Sequence, residues 1–215
     1  MNRLKQNLCY LIGPIDEAAD KGVGWREDLT EFLQNIGVGV FNPCDKPTDF
    51  AEEDANFVET LRELKKHGKY AEVAAKVKPV VSIDLHMLDL SNFCVMYVDK
   101  NVHMCGSYAE ATYASLEHKP IIVVGEQGVS EIPSWLFGML NHELFFDDWY
   151  SAKRYIKHVA FDEFFNHPSH GWRFFDYNHI FKQPVENLNP ENVESYMKEL
   201  ELEYVTLANQ LFKEI

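Results

Sequence analysis

The stretch NFCVMYVDKNVHMCGSYAEATYASLEHKPIIVV, residues 92–124, decides the fold. Phe93 to Val98 is an apolar run of strand length, too short for a helix. Asp99 to Gly106 is a loop at the carboxyl end of that strand. Ser107 opens a helix, Lys119-Pro120 closes it, and a second apolar run follows from Ile121 to Val124. Strand, loop, helix and strand in this order pack as a βαβ unit of parallel sheet. Ligands of open α/β sheets sit outside the carboxyl ends of the strands. That crevice is where Glu110, in the expected first helical turn, is placed. The same four residues, Ser107-Tyr108-Ala109-Glu110, also have the spacing of a capping box. There the serine side chain caps the helix and the glutamate reaches back to the serine N–H. Spacing alone favours the cap.

The flanking sequence repeats the pattern. Leu8 to Ile12 is a strand ending in Gly13-Pro14-Ile15-Asp16, where Gly and Pro stop the strand and let backbone approach a ligand. Glu17 to Gly24 is a polar loop, and Trp25 to Ile36 is an amphipathic helix stopped by Gly37. Val38 to Phe41 is a second strand, followed by the turn Asn42-Pro43-Cys44-Asp45-Lys46-Pro47. Phe50 to Asp89 reads as two helices broken at Lys65–Lys69, with Asp84 near the end of the second and, by default, on a solvated face. Beyond the central unit, Ile132 to Leu140 is a short helix and Leu144 to Phe146 a fifth strand. Asp147 is the expected cap of a helix from Trp149 to His158. Phe161 to Tyr177 is dense in aromatic residues, for which packing is preferred over base stacking. Asn189-Pro190 opens a final helix with an apolar stripe from Val193 to Leu211.

Composition excludes several classes. A formal net charge of -14 opposes binding of polymeric DNA or RNA, while leaving room for a small anion in a local pocket. No apolar run approaches the length of a membrane span, and the opening Met1-Asn-Arg-Leu-Lys-Gln lacks a signal-peptide core. Cys9, Cys44, Cys94 and Cys105 form no CxxC pair, and the nine histidines show no HExxH spacing. The expectation is a reducing, cytoplasmic setting with no disulfide, structural metal or organic cofactor. His167 and His170 read as solvated loop residues.

Three features in order carry a resemblance: Tyr10 with Gly13-Pro14-Ile15-Asp16, Asp84 with Leu85, and Gly106-Ser-Tyr-Ala-Glu110. With Ala114 to Lys119-Pro120 leading into the next strand, they resemble the nucleoside 2-deoxyribosyltransferase family over roughly Leu8 to Phe146. The resemblance implies a flavodoxin/Rossmann-like five-stranded parallel sheet flanked by helices, spanning residues 1–158. Residues 159–215 would be an aromatic-rich, helical extension packing on the same domain or on a partner subunit. It implies that Glu110 is a carboxylate nucleophile attacking C1′ of a 2′-deoxynucleoside, with a covalent deoxyribosyl-enzyme passed to a second base or to water. Tyr10 would orient Glu110. Asp84 would hold the sugar or base edge and donate a proton to the leaving base. Gly13, Asp16, Asp45, Asp99, Gly106 and Ser107 would line the substrate. A homo-oligomer, at least a dimer, is implied because the family builds sites across subunits.

The chain also departs from the family. Transferases of free nucleosides carry an acidic residue just before the glycine and an Asn from a neighbouring subunit. Here Met104 stands at the acidic position and Ile132-Pro133-Ser134-Trp135 contains no Asn. The related deoxynucleoside-monophosphate N-glycosidases use small hydroxyl residues for a 5′-phosphate, a role open to His103 and Ser134. The loop with Lys46-Pro47 lacks the amide that some members place against the base. Nucleoside and monophosphate, transfer and hydrolysis all stay open at this point, beside a non-catalytic nucleotide-binding protein. A flavin protein is disfavoured, because Gly13-Pro14-Ile15-Asp16 is a poor phosphate cradle: Pro lacks an N–H and Asp repels phosphate.

Overall fold

Five apolar segments pair into one parallel sheet: β1 Leu8–Ile12, β2 Gly39–Phe41, β3 Phe93–Val98, β4 Ile121–Gly125 and β5 Phe145–Phe146. The strand order is β2-β1-β3-β4-β5, with Cys9 opposite Phe93 and Cys94 opposite Ile121. This is the flavodoxin-like order of a doubly wound α/β fold, as expected from the sequence. The helices are α1 Val23–Asn35, α2 Phe57–Lys66, α3 Tyr70–Leu90, α4 Cys105–Leu116, α5 Ser134–Met139 and α6 Trp149–Phe161. The computed structural model describes residues 2–15, 18, 20–46, 56–162 and 168–172. Asp16, His167, the segment 50–55, most of the aromatic stretch and the final helix lie outside the described residues.

The strands are apolar runs because both faces of the sheet are covered. Side chains alternate along each strand. One face sends Tyr10, Ile12, Cys94, Met96 and Val98 into a core with Met87 and Leu88 of α3 and Ala111 and Ala114 of α4. The opposite positions Leu11 and Val95 are equally buried, as are Leu29 and Leu33 of α1 and Ile156 and Val159 of α6. The Lys153–Asp28 ion pair, at 2.5 Å, ties α6 to α1. The small Ala111 and Ala114 let α4 approach the sheet closely, which brings Glu110 on the same helix within reach of β1.

Four local expectations are corrected. The helix expected at Ser107 begins at Cys105, because Tyr108 N–H already bonds the Met104 carbonyl at 3.1 Å. Met104 is the cap, no side chain caps it, and Ser107 is a buried helical residue, so no capping box forms. Glu110 therefore sits in the second turn, where the helix dipole is weaker. Asp148, rather than Asp147, caps α6 by accepting from Ser151 N–H at 2.7 Å, while Asp147 accepts from Val129 N–H. His170 is buried, hydrogen-bonded to Tyr155 Oη at 2.8 Å and 3.2 Å from Glu143, and is not a solvated loop residue. Asp84 is not on a solvated face: its side chain is 14% exposed and ion-paired.

No helix among the described residues is long and apolar enough to cross a membrane. Cys9, Cys44, Cys94 and Cys105 form no disulfide with one another, and Cys9 and Cys94 lie within the core.

Candidate active site

The strand order reverses between β1 and β3, and their carboxyl ends frame the crevice where ligands of this fold bind. Tyr10 lies in the middle of β1 with its ring fully buried. Its hydroxyl crosses to α4 and donates to Glu110 Oε1 at 2.7 Å. Asp84 comes from α3, and its charge bears on both Tyr10 and Glu110. Lys46, on the loop after β2, places Nζ 3.3 Å from Asp84 Oδ1 and 2.9 Å from the Pro43 carbonyl that it bonds. Four elements thus deliver one hydroxyl, two carboxylates and one ammonium to a single place.

Burial pushes the Glu110 carboxyl up to about 7. The Tyr10 hydrogen bond opposes that rise, the Asp84 charge adds to it, and Arg26 and Lys46 work against it. At neutral pH Glu110 is divided between a neutral acid and a carboxylate. Tyr10 is raised well above the ordinary tyrosine value, first by burial and then by the Glu110 and Asp84 charges, so it stays a hydroxyl donor.

Behind the crevice, Arg26 of α1 is fully buried. It donates to the carbonyls of Gly13 at 2.8 Å, Gly22 at 2.8 Å and Pro14 at 3.3 Å, which shapes the loop after β1. Gly13 is required there for packing: a Cβ would come within 2.6 Å of the Trp25 ring. Gly22 has φ +70 and abuts the Pro14 carbonyl, so this position also demands glycine.

The other expected contacts are scattered around the edge. Asp45 is exposed in the turn after β2, its N–H bonded to the Asn42 carbonyl. Asp99 is occupied, accepting from Asn101 N–H at 2.9 Å and Gln127 Nε2 at 2.8 Å. His103 is exposed, whereas Met104 is buried in the core with Tyr10 and Ala111. Gly106 faces open space, Ser107 is buried, and Ser134 is exposed at the start of α5. Of the expected residues, the structure brings Tyr10 and Glu110 into hydrogen-bond contact, with the Asp84 charge bearing on both.

Sequence reading missed Arg26 and Lys46 as site residues. Arg26 had a signal: it shares the helical spacing of Leu29, Leu33 and Ile36, which puts it on the buried stripe of α1. Lys46 had none, because its partner is on a distant helix. No group of His, Cys, Asp and Glu among the described residues is arranged to hold a metal ion.

No family model and no curated sequence matches this chain. Among solved structures, the chain is similar to a 2-deoxyribosyltransferase from the psychrotolerant bacterium Bacillus psychrosaccharolyticus. The two share 18% sequence identity with a TM-score of 0.47, over 69% of this chain and 91% of that one.

Proposed function

We propose that this protein is an enzyme that cleaves the N-glycosidic bond of a 2′-deoxynucleoside and transfers the sugar to a second base, with Glu110 as nucleophile. The observation that carries this reading is the Tyr10–Glu110 hydrogen bond of 2.7 Å at the β1/β3 reversal, with Asp84 beside it. A Glu110 oxygen bonds C1′ as the C1′–N bond breaks, and the electron pair goes to the base nitrogen, which takes a proton from water. A nitrogen of the second base then attacks C1′, the Glu110 carboxylate leaves, and the incoming base loses its proton. Tyr10 holds the carboxylate in line. Asp84 holds the sugar or base edge; an ammonium at 3.3 Å favours its ionised form, which is not that of a proton donor.

Hydrolysis of a deoxynucleoside 5′-monophosphate is the second reading. It is favoured by the start of α4, where Met104 offers no side-chain cap to the first-turn N–H groups and His103 and Gly106 are exposed. A homo-oligomer belongs to both readings: Trp135 and Phe137 on α5 are 82% and 41% exposed, an apolar surface of the kind a second copy covers.

The test is product chromatography with deoxynucleosides and their monophosphates in parallel, with and without a second free base. A new deoxynucleoside formed only with the second base supports transfer. Free base and sugar phosphate from monophosphates alone support hydrolysis. No product from any common base, or a fully active Glu110→Ala variant, sinks both.

A further inference from the structure

A lysine side chain only 6% exposed is unusual unless it is paired, and Lys46 is paired with Asp84 across two elements far apart in sequence. Its Nζ is also anchored to the Pro43 carbonyl, within a turn fixed by Asp45 N–H to the Asn42 carbonyl at 3.0 Å and by Cys44 N–H to Asn42 Oδ1 at 3.0 Å. The ammonium is therefore held by a built turn, at the carboxyl edge of β2, against the carboxylate that stands beside Glu110.

We propose that Lys46 is a positioning residue of this site, acting through Asp84, which it fixes as a carboxylate acceptor facing the substrate. The inference rests on the reading of Glu110 and Asp84 given above and assigns Asp84 the binding role alone. Two carboxylates share the crevice, and Lys46 offsets the second. Without Lys46, Asp84 can turn, and its charge acts on Glu110 with Arg26 alone set against it. The groups facing Glu110 are Tyr10 from β1, Asp84 from α3, Arg26 from α1, Lys46 from the loop after β2, and the buried Cys94 thiol from β3. Arg26 has both terminal nitrogens engaged by backbone carbonyls; among the described residues, Lys46 is the cation placed within 4 Å of the Asp84 carboxylate.

The experiment is a carboxyl-carbon NMR titration of Glu110 in the unliganded, full-length protein, which needs no substrate. Parent, Lys46→Met, Lys46→Arg, Asp84→Asn and the double variant Lys46→Met/Asp84→Asn are compared, with thermal melts to verify folding. Lys46→Met should raise the Glu110 midpoint by about half a unit or more, and Lys46→Arg should leave it near the parent. Asp84→Asn should lower it, and the double variant should fall between the two. On any substrate the enzyme turns over, Lys46→Met should raise KM more than it lowers kcat, and Lys46→Arg should restore it. A Glu110 midpoint unmoved in Lys46→Met overturns the inference. If that variant does not fold, a Glu110 midpoint that is the same in Asp84→Asn as in the parent overturns it equally. Because the titration reads the free protein, the expected shifts with no turnover of any nucleoside would sink the proposed reaction and leave the role of Lys46 standing.

Discussion

Two tyrosine–glutamate pairs in this molecule have the same hydrogen bond. Tyr10 donates to Glu110 at 2.7 Å, and Tyr97 donates to Glu126 at 2.7 Å. Both tyrosines are on central strands of the sheet, and both acids lie C-terminal to their strand partners. Their surroundings differ. Tyr97 packs against a stacked pair of indoles, Trp25 at 5.3 Å and Trp149 at 5.8 Å, and its acid faces solvent. Tyr10 has no exposed surface, and its acid sits among buried groups next to a second carboxylate. A short bond between hydroxyl and carboxylate therefore does not make a site. Removal from water is what sets the two pairs apart, because charge–charge effects that are about 1 kcal/mol at 4 Å in water grow several-fold near a protein interior.

The comparison breaks most sharply on the acids. On the proposed reaction, Glu110→Ala should lower transfer at least about 10³-fold, since it removes the proposed nucleophile. Glu126→Ala should leave the rate within about twofold, as expected of an exposed side chain away from the reacting atoms. Initial rates on a deoxynucleoside with an added free base check both, and comparable losses in the two variants would void the distinction.

The hydroxyls come next. Tyr10→Phe should cost about 10–100-fold at neutral pH, the worth of one hydrogen bond to a charged group. It should also move the acid limb of the pH–rate profile upward from about 7, because the Tyr10 bond is what holds Glu110 down against burial. Part of the loss should return in alkaline buffer, where Glu110 ionises without help. Tyr97→Phe should leave the limb in place, and a limb that moves in Tyr97→Phe but not in Tyr10→Phe would reverse the assignment.

How much of this was legible in the sequence follows from the range of each interaction. The strands were plain, because a sheet covered on both faces requires unbroken apolar runs such as Phe93–Val98 and Ile121–Gly125. The meeting of Tyr10, Asp84 and Glu110 was anticipated from the order of short motifs, each of them weak by itself. The start of α4 was misplaced because Cys105-Gly106 reads as loop and Gly is a poor helix former. Two residues of extra helix were enough to move a capping glutamate to the second turn, where it is half-buried against Tyr10. Lys46 was out of reach because nothing local marks a turn lysine that will pair with a helix aspartate. Arg26 was in reach, since its spacing with Leu29 and Leu33 buries it whatever its charge.

The smallest effect tests the same contrast through stability. A carboxyl that titrates differently in the folded and unfolded chain makes folding depend on pH. Glu110 differs: its ordinary 4.5 is raised to about 7 in the folded protein. Between those values the folded state binds more protons than the unfolded one, so stability falls as pH rises through this window and is level above it. The cost of the buried charge is absent below about 4.5 and complete above about 7. Glu110→Gln keeps the shape and removes the charge, so it should be more stable than the parent at pH 8 by roughly 1–3 kcal/mol, with the gap closing by pH 5. Glu126→Gln should track the parent at both. Urea midpoints at the two pH values decide it. A Glu110→Gln gain that persists at pH 5 would trace to packing, and the poised carboxylate on which the proposed chemistry depends would have no support from the energetics of the fold.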